Sequence, residues 1–287
     1  AFLTPANFAY TATQWGIWRA GGIAVPLCVN HPPPEWDYVI NDSSASVVVA
    51  HPQFAPLLRP IAEARKLRFL LSTKVRDTPG CELPQVEPAR RAMIVYTSGT
   101  TGKPKGVVTT HQNITAQIHS LIEPWGWTPD DQILLVLPLH HVHGIINVVA
   151  CALWAGAACE MMPQFEAQAV WNRICEGGLT LFMAVPTIYA KLADAWQAAP
   201  ADRQKLMSDS CRTIRLMVSG SAALPVTTLE TWRSISGHTL LERYGMTEIG
   251  MAISNPLVGE RVPGHIGSPL PSVDIRLIGE DGNPVID

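Results

Sequence analysis

The sequence predicts an α/β fold of mostly parallel sheets flanked by helices, with a small β-rich region at its C-terminal end. Three observations predict it. Helix-like and strand-like segments alternate along most of the chain, the pattern of repeated βαβ units. The strand-like segments are continuous apolar runs, such as Leu181-Phe182-Met183-Ala184-Val185, and strands buried on both faces belong to parallel sheets covered by helices. Beyond Gly245 the helical pattern stops, and glycines, prolines and short β-like runs replace it.

Taken in order, residues 6–20 place Phe8, Ala12, Trp15 and Ile17 or Trp18 near helical spacing and end at the helix stop Gly21-Gly22. Residues 23–25 read as a strand, 34–41 as a short helix, 46–50 as a buried strand, 52–66 as a helix and 67–71 as a strand. Residues 73–91, rich in proline, glycine and charge, read as a linker. The apolar run 92–95 follows, and a helix is expected over 112–122. Strands at 133–137, 157–162 and 181–185 then alternate with helices at 145–154 and 167–175. Pro186 suits the first turn of the next helix, because its missing N–H has no partner there anyway. The polar stretch 197–210 reads as a loop. A strand at 214–218, a helix at 225–235, a strand at 239–241 and β-like runs at 251–253 and 274–278 complete the chain. This pattern divides the protein into a first α/β subdomain (1–90), a second that carries the motifs below (91–245) and the start of a β-rich region (246–287).

Composition narrows the function. The 287 residues are 47% hydrophobic and 16% charged, enough apolar mass for a sizeable core. Twenty-one basic against 24 acidic residues give a net charge of −3, no reason to expect nucleic acid or an anionic membrane as partner. No apolar run is long enough to suggest a transmembrane helix. Cys28, Cys81, Cys151, Cys159, Cys175 and Cys211 show no C-x-x-C spacing. They read as reduced, mostly buried thiols of an intracellular protein, neither zinc ligands nor a disulfide framework. The chain opens at Ala1 and stops at Asp287 after the turn-like run 279–284, so both ends read as cuts in a longer protein. Cytoplasm and mitochondrial matrix stay equally open.

The richest stretch is Tyr96-Thr97-Ser98-Gly99-Thr100-Thr101-Gly102-Lys103-Pro104-Lys105-Gly106. It has the make-up of a phosphate-binding loop. Glycines let the backbone approach an anion, N–H and O–H groups donate to phosphate oxygens, and lysines neutralise charge. It is not a Walker A loop: position 97 is Thr where the first Gly belongs, and Pro104 follows Lys103 where Ser or Thr belongs. Three further stretches follow predicted strands. Leu137-Pro138-Leu139-His140-His141-Val142-His143-Gly144 packs three histidines into four residues, open to a pocket role, a metal role or a histidine bonded at a helix start. Val218-Ser219-Gly220-Ser221-Ala222-Ala223-Leu224 is small enough for a flat ligand to approach, although alone it reads better as a plain turn. Glu242-Arg243-Tyr244-Gly245-Met246-Thr247-Glu248 combines an aromatic face, a hydroxyl and a carboxylate with an arginine.

These stretches, in this order, resemble the adenylate-forming acyl-CoA synthetase superfamily, the AMP-binding enzymes. The His-His-x-His-Gly run together with Glu-Arg-Tyr-Gly-Met-Thr-Glu is similar to malonyl-CoA synthetases. So are Gln14-Trp15-Gly16, residues 21–26 and residues 183–189, and the resemblance covers essentially the whole chain. It implies the N-terminal core fold of those enzymes. It also implies that Thr97, Ser98, Gly99, Thr100, Thr101, Gly102 and Lys103 bind ATP phosphates, with Lys105 beside them. Gly220, Ser221 and Ala222 would wall the adenine, Tyr244 would stack on it and Gly245 would belong to the same nucleotide site. Thr247 would bond the α-phosphate and Glu248 would ligate Mg²⁺. His141 would line the acyl pocket, and Arg243 at its mouth would meet a second carboxylate or, alternatively, pair with Glu242 or another surface acid. The implied catalytic set is Thr97, Lys105, Thr247 and Glu248. The implied activity is ATP-dependent adenylation of malonate and transfer of the acyl group to coenzyme A. Two alternatives stay open: the same chemistry on a monocarboxylic acid, or a catalytically silent ATP-binding module. Relatives in this superfamily continue into a ribose-binding Thr-Gly-Asp segment and a mobile C-terminal domain with a catalytic lysine. Neither is found before Asp287, so the chain alone is expected to be nearly inactive.

Overall fold

The computed structural model describes residues 1–75, 80–98 and 102–285. Short, mostly apolar runs build the first sheet. β1 (Phe2–Leu3), β2 (Val47–Ala50) and β3 (Arg68–Leu71) pair in parallel in the order β1-β2-β3. α1 (Phe8–Arg19) and α2 (Pro33–Asp42) separate β1 from β2. α3 (Ala55–Ala64) separates β2 from β3, and the single turn α4 (Ser72–Val75) follows β3. The start of α1 is set by Asn7, whose side chain accepts from Ala9 N, and that of α2 by proline in its first turn. The strand expected at 23–25 is reduced to the bridges Ala24–Met93 and Phe2–Pro26. The run is only three residues long, and Pro26 has no N–H to extend a ladder.

An antiparallel hairpin comes next. β4 (Arg91–Thr97) pairs with β5 (Lys105–Thr110), with Thr97 opposite Lys105. The phosphate-type loop is therefore the tip of a hairpin. α5 (His111–Ile122) starts at once, with Thr110 and Asn113 exchanging side-chain and backbone hydrogen bonds at its first turn.

The main sheet has seven strands: β6 (Gln132–Leu135), β7 (Ala158–Met161), β8 (Leu181–Ala184), β9 (Leu216–Ser219), β10 (Leu241–Met246), β11 (Gly250–Ser254) and β12 (Ser268–Pro269). Their order is β12-β11-β10-β9-β8-β6-β7. The pairings from β10 through β7 are parallel, and β11 and β12 are added antiparallel. The small β-rich region thus extends this sheet. A π-helical segment (His143–Ala150) runs into α6 (Cys151–Ala155), which ends at Gly156 in the left-handed conformation. α7 (Ala167–Cys175), α8 (Pro186–Gln197), α9 (Ala201–Cys211) and α10 (Val226–Ser236) form a second helical group. β8 and β9 are buried at every position, as strands covered on both faces must be. Trp171, Tyr189 and Trp232 are fully buried in this group. Trp171 stacks on Trp232 at 5.7 Å, and Tyr189 Oη donates to Val218 O at 2.9 Å, which ties α8 to β9.

Two expectations are corrected. The stretch 197–210 is not a loop, because most of it forms α9. Its polar composition hid a narrow buried side made by Met207, Ser208 and Cys211, and Trp196 Nε1 donates to Ser208 Oγ at 3.0 Å. Tertiary packing supplies what the local sequence lacks. Residues 274–278 form no strand; among the described residues they contribute one bridge, Ile278–Pro284. The described cysteines are free, with Cys28, Cys151 and Cys211 buried and Cys81 exposed. Among the described residues no helix is long and apolar enough to cross a membrane.

The amino ends of β6, β8 and β9 are tied by one polar network. Asp131 precedes β6, Thr180 precedes β8 and Arg215 precedes β9. Arg215 Nε donates to Asp131 Oδ1 at 2.7 Å and Nη2 to Oδ2 at 2.6 Å, while Thr180 Oγ1 donates to Oδ1 at 2.7 Å. The Asp131 side chain is 2% exposed. Burial pushes its carboxyl up, and the bonds from Arg215 and Thr180 outweigh that and hold it below its usual range. Asp131→Ala leaves Arg215 without its partner and is expected to cost roughly 3 kcal/mol in a urea unfolding titration. Because the folded carboxyl titrates below 3.8, its contribution is present above that pH and is lost as pH falls through the depressed value. The difference between wild type and Asp131→Ala should therefore shrink in acid; a pH-independent difference would contradict the ion pair as its source.

Candidate functional site

The carboxyl ends of the parallel strands lie opposite this network. The chain switches direction across the sheet at β6, which has β7 on one side and β8 on the other, and such a point leaves a crevice beyond the strand ends. A cleft of about 470 Å³ opens there. Leu137, Pro138 and residues 141–144 line it after β6, Val185 after β8, Ser221 after β9, and Arg243 and residues 245–248 along and after β10. Thr97, at the end of β4, lines it from the hairpin.

Arg243 is the most unusual group in the cleft. It is 3% exposed, and its Nε and Nη2 have no hydrogen-bond partner among the described residues. Burial alone lowers its guanidinium from 12.5 to about 9, so the side chain stays charged at neutral pH. It does not pair with Glu242. Neighbours on a strand face opposite ways, and Glu242 Oε1 accepts instead from Leu224 N at 2.9 Å. The sequence placed Arg243 at a pocket mouth, whereas the structure buries it. Gly220 makes that possible: a Cβ there would fall 2.5 Å from Arg243 Nε and 2.7 Å from Nη1.

His143 lies in the same cleft. It is 3% exposed, its Nδ1 lies 3.1 Å from Ser221 Oγ, and its Nε2 is buried without a partner. Burial, then the nearby Arg243 and His141, hold its ring neutral. Ser221 adopts φ 68° to present its hydroxyl, and a left-handed non-glycine residue stores roughly 1–3 kcal/mol of strain that tends to collect at functional sites. The π-helical segment starts at His143, which turns this ring inward and leaves His141 exposed at the cleft edge. An irregularity in the β10–β11 pairing between Tyr244 and Gly245 bends the strand beside the site.

The structure brings Thr97, His141, Ser221, Arg243, Gly245, Thr247 and Glu248 to the lining of one cleft. Gly220 packs directly against Arg243. Ser98, Gly102, Lys103 and Lys105 are exposed on the hairpin tip, outside that lining, and Ala222 and Tyr244 are exposed beside it. Gly99, Thr100 and Thr101 lie outside the described residues. Glu248 is exposed next to Thr247, and among the described residues no group of three or more His, Cys, Asp or Glu forms a metal cage.

Sequence reasoning missed His143, Asn147 and Gln117. A second cavity of about 310 Å³ shares Val142, Thr247, Glu248 and Met251 with the cleft, and Asn147 and Gln117 line it. Asn147 is 1% exposed, and among the described residues neither its Oδ1 nor its Nδ2 has a partner. Gln117 Oε1 accepts from Met251 N, which ties α5 to β11. The available signal was a lone amide in the run Ile145-Ile146-Asn147-Val148-Val149, since a buried polar residue is more informative than a buried apolar one.

The whole chain, residues 1–287, matches the AMP-binding enzyme family. A mitochondrial malonate–CoA ligase from Homo sapiens is 48% identical over 295 residues, covering 98% of this chain and 51% of that protein. A malonate–CoA ligase from Arabidopsis thaliana is 40% identical over 296 residues, covering 96% of this chain and 48% of that protein. The crystal structure of ATP-bound MatB from Rhodopseudomonas palustris superposes with a TM-score of 0.89 at 30% identity, over 99% of this chain and 57% of that one. The chain spans about half the length of the curated relatives it matches.

The histidines at the cleft edge set a pH dependence. His140 and His141 rings lie 4.1 Å apart, with His31 5.9 Å from His140. Burial, then His141 and His31, lower His140 to about 3. Between that value and 6.5 the unfolded chain binds the proton that the folded one refuses, so stability falls as pH drops through this window. His140→Gln should flatten the decline of Tm between pH 6.5 and 4.5; a Tm profile parallel to wild type would contradict the assignment.

Proposed function

The chain belongs to the AMP-binding enzyme family, and on that premise we propose that it is the ATP- and acid-binding core of an ATP-dependent acid–thiol ligase that activates malonate and passes the malonyl group to coenzyme A. The observation that carries the substrate is the Arg243 guanidinium, buried, charged and facing the cleft with Nε and Nη2 unpaired among the described residues. A cation in such a place is costly unless it meets an anion with matching hydrogen bonds, and a guanidinium fits a carboxylate with two parallel bonds. Malonate offers one carboxylate to react and one to be held. His143 stands beside Arg243 as a neutral ring whose free Nε2 can add a third bond. The names of the relatives, malonate–CoA ligases, support the same substrate.

In this reading the free carboxylate of malonate attacks the α-phosphate of ATP in line and expels pyrophosphate. The thiol of coenzyme A then attacks the acyl carbon and expels AMP. Little covalent chemistry falls to the protein, whose work is positioning and charge stabilisation. Thr97 and Thr247, both in the cleft lining, offer hydroxyls to the phosphates. Lys103 and Lys105, on the hairpin tip, supply positive charge for the departing pyrophosphate. Gly220, Ser221 and Ala222 lie at the end of β9 as a wall for the adenine, and Tyr244 offers an exposed ring. His141, at the cleft edge, lines the acyl side. Glu248 suits Mg²⁺, a cation that keeps several waters and binds through one or two carboxylates plus substrate phosphates; a single exposed carboxylate beside a phosphate site fits that pattern. When bound, Mg²⁺ would neutralise charge on the phosphates. The designation of the human relative supports a mitochondrial matrix location, with the cytoplasm as the alternative.

The test is substrate selectivity in the full-length protein. Arg243→Ala is expected to lower kcat/KM for malonate by roughly 2–5 kcal/mol, about thirtyfold or more. Activity on butyrate should hold or rise. Gly220→Ala, which pushes the guanidinium out of its slot, should raise KM for malonate. Equal losses on malonate and butyrate would contradict carboxylate recognition by Arg243.

A further inference from the structure

The hairpin β4–β5 forms a two-stranded sheet of its own, separate from the two larger sheets. A lone hairpin is marginally stable in water, so the position of its tip depends on what holds it. The base is attached through the Ala24–Met93 bridge. The two strands are held by α2 near their loop ends. Tyr38 Oη donates to Pro104 O at 2.9 Å, on the returning side of the phosphate-type loop. Tyr96 Oη donates to Asp42 Oδ2 at 2.7 Å, on the outgoing side. Tyr38 and Asp42 are four residues apart and share one face of α2. The rings of Tyr38 and Tyr96 meet edge to face at 6.4 Å.

Gly106 lets this clamp form. It stands opposite Tyr96 in the ladder, and a Cβ there would fall 2.8 Å from Ile94 Cγ2 and 3.1 Å from Tyr96 Cζ. The Tyr96 ring therefore packs against bare backbone. Burial, then Asp42, push the Tyr96 hydroxyl well above its usual value, so it remains a donor. Both flanks of the loop are thus pinned to a helix beside the first sheet, while Thr247 and Glu248 lie in the turn that joins β10 to β11 of the seven-stranded sheet.

We infer that Tyr38 and Asp42 are positioning residues for the triphosphate: α2 sets where the loop and its lysines stand relative to Thr247 and Glu248. This rests on the reading of Thr97, Lys103 and Lys105 as part of an ATP site. The hydroxyl of Tyr38 holds the carbonyl of Pro104, the peptide between Lys103 and Lys105. Losing that bond leaves the fold intact and frees the loop's returning strand.

Tyr38→Phe in the full-length protein removes one hydroxyl and keeps the ring. KM for MgATP should rise about fivefold, the size of one hydrogen bond, with kcat, KM for malonate and Tm near wild type. Tyr38→Phe combined with Asp42→Ala should raise it further. Amide hydrogen exchange in the nucleotide-free protein reads the clamp without activity, and exchange across residues 102–107 should quicken in both variants. Faster exchange with an unchanged KM for ATP would mean that the clamp holds a loop that does not bind nucleotide, which overturns the ATP reading. Unchanged exchange and unchanged KM would overturn the clamp. A large drop in Tm with KM raised equally for both substrates would make Tyr38 merely structural and overturn the inference.

Discussion

One buried cation constrains the site. Arg243 lies under the surface of the cleft with a charge it cannot lose at neutral pH and with N–H groups that nothing in the described chain satisfies. Desolvating a guanidinium costs several kcal/mol, and the surroundings are arranged to tolerate it. Gly220 has no Cβ where the guanidinium passes. His143 stays neutral and so adds no second positive charge. Ser221 accepts a strained backbone and keeps His143 in place. Such an arrangement is costly in isolation, and an anion with matching acceptors would offset that cost.

The sheet explains why these residues meet. β9 carries Gly220 and Ser221 at its end, β10 carries Arg243, and the loop after β6 delivers His141 and His143. Parallel pairing aligns those ends on one side, while Asp131, Thr180 and Arg215 bind the other ends of β6, β8 and β9 together. The polar network sits at one end of the strands and the cleft at the other. The π-helical segment adds a second device, since it starts inside the histidine run and turns one ring inward and leaves another at the edge.

Much of this was legible in the sequence. Continuous apolar runs such as 181–185 announced buried parallel strands, and Pro186 marked the start of α8. The motifs around Thr97, His141, Ser221 and Arg243 stood out because their residue types are poor choices for a core. What stayed hidden had tertiary causes. α9 is polar along most of its length and is helical because three residues reach neighbouring helices. β5 follows a glycine-rich loop and is largely exposed, so no burial pattern marks it. His143 was one of three histidines in four residues, and only the helical geometry that begins there separates it from His141. Asn147 needed the knowledge that its helix is buried all round.

The central claim is that Arg243 waits for a second carboxylate. The most direct measurement is a crystal structure of the full-length protein with malonate and a non-hydrolysable ATP analogue. The account predicts the distal carboxylate about 2.7–2.9 Å from Arg243 Nε and Nη2, within bonding distance of His143 Nε2, with the other carboxylate directed at the α-phosphate. Malonate bound elsewhere, with the Arg243 N–H groups bonded to water or to other protein atoms, would contradict it.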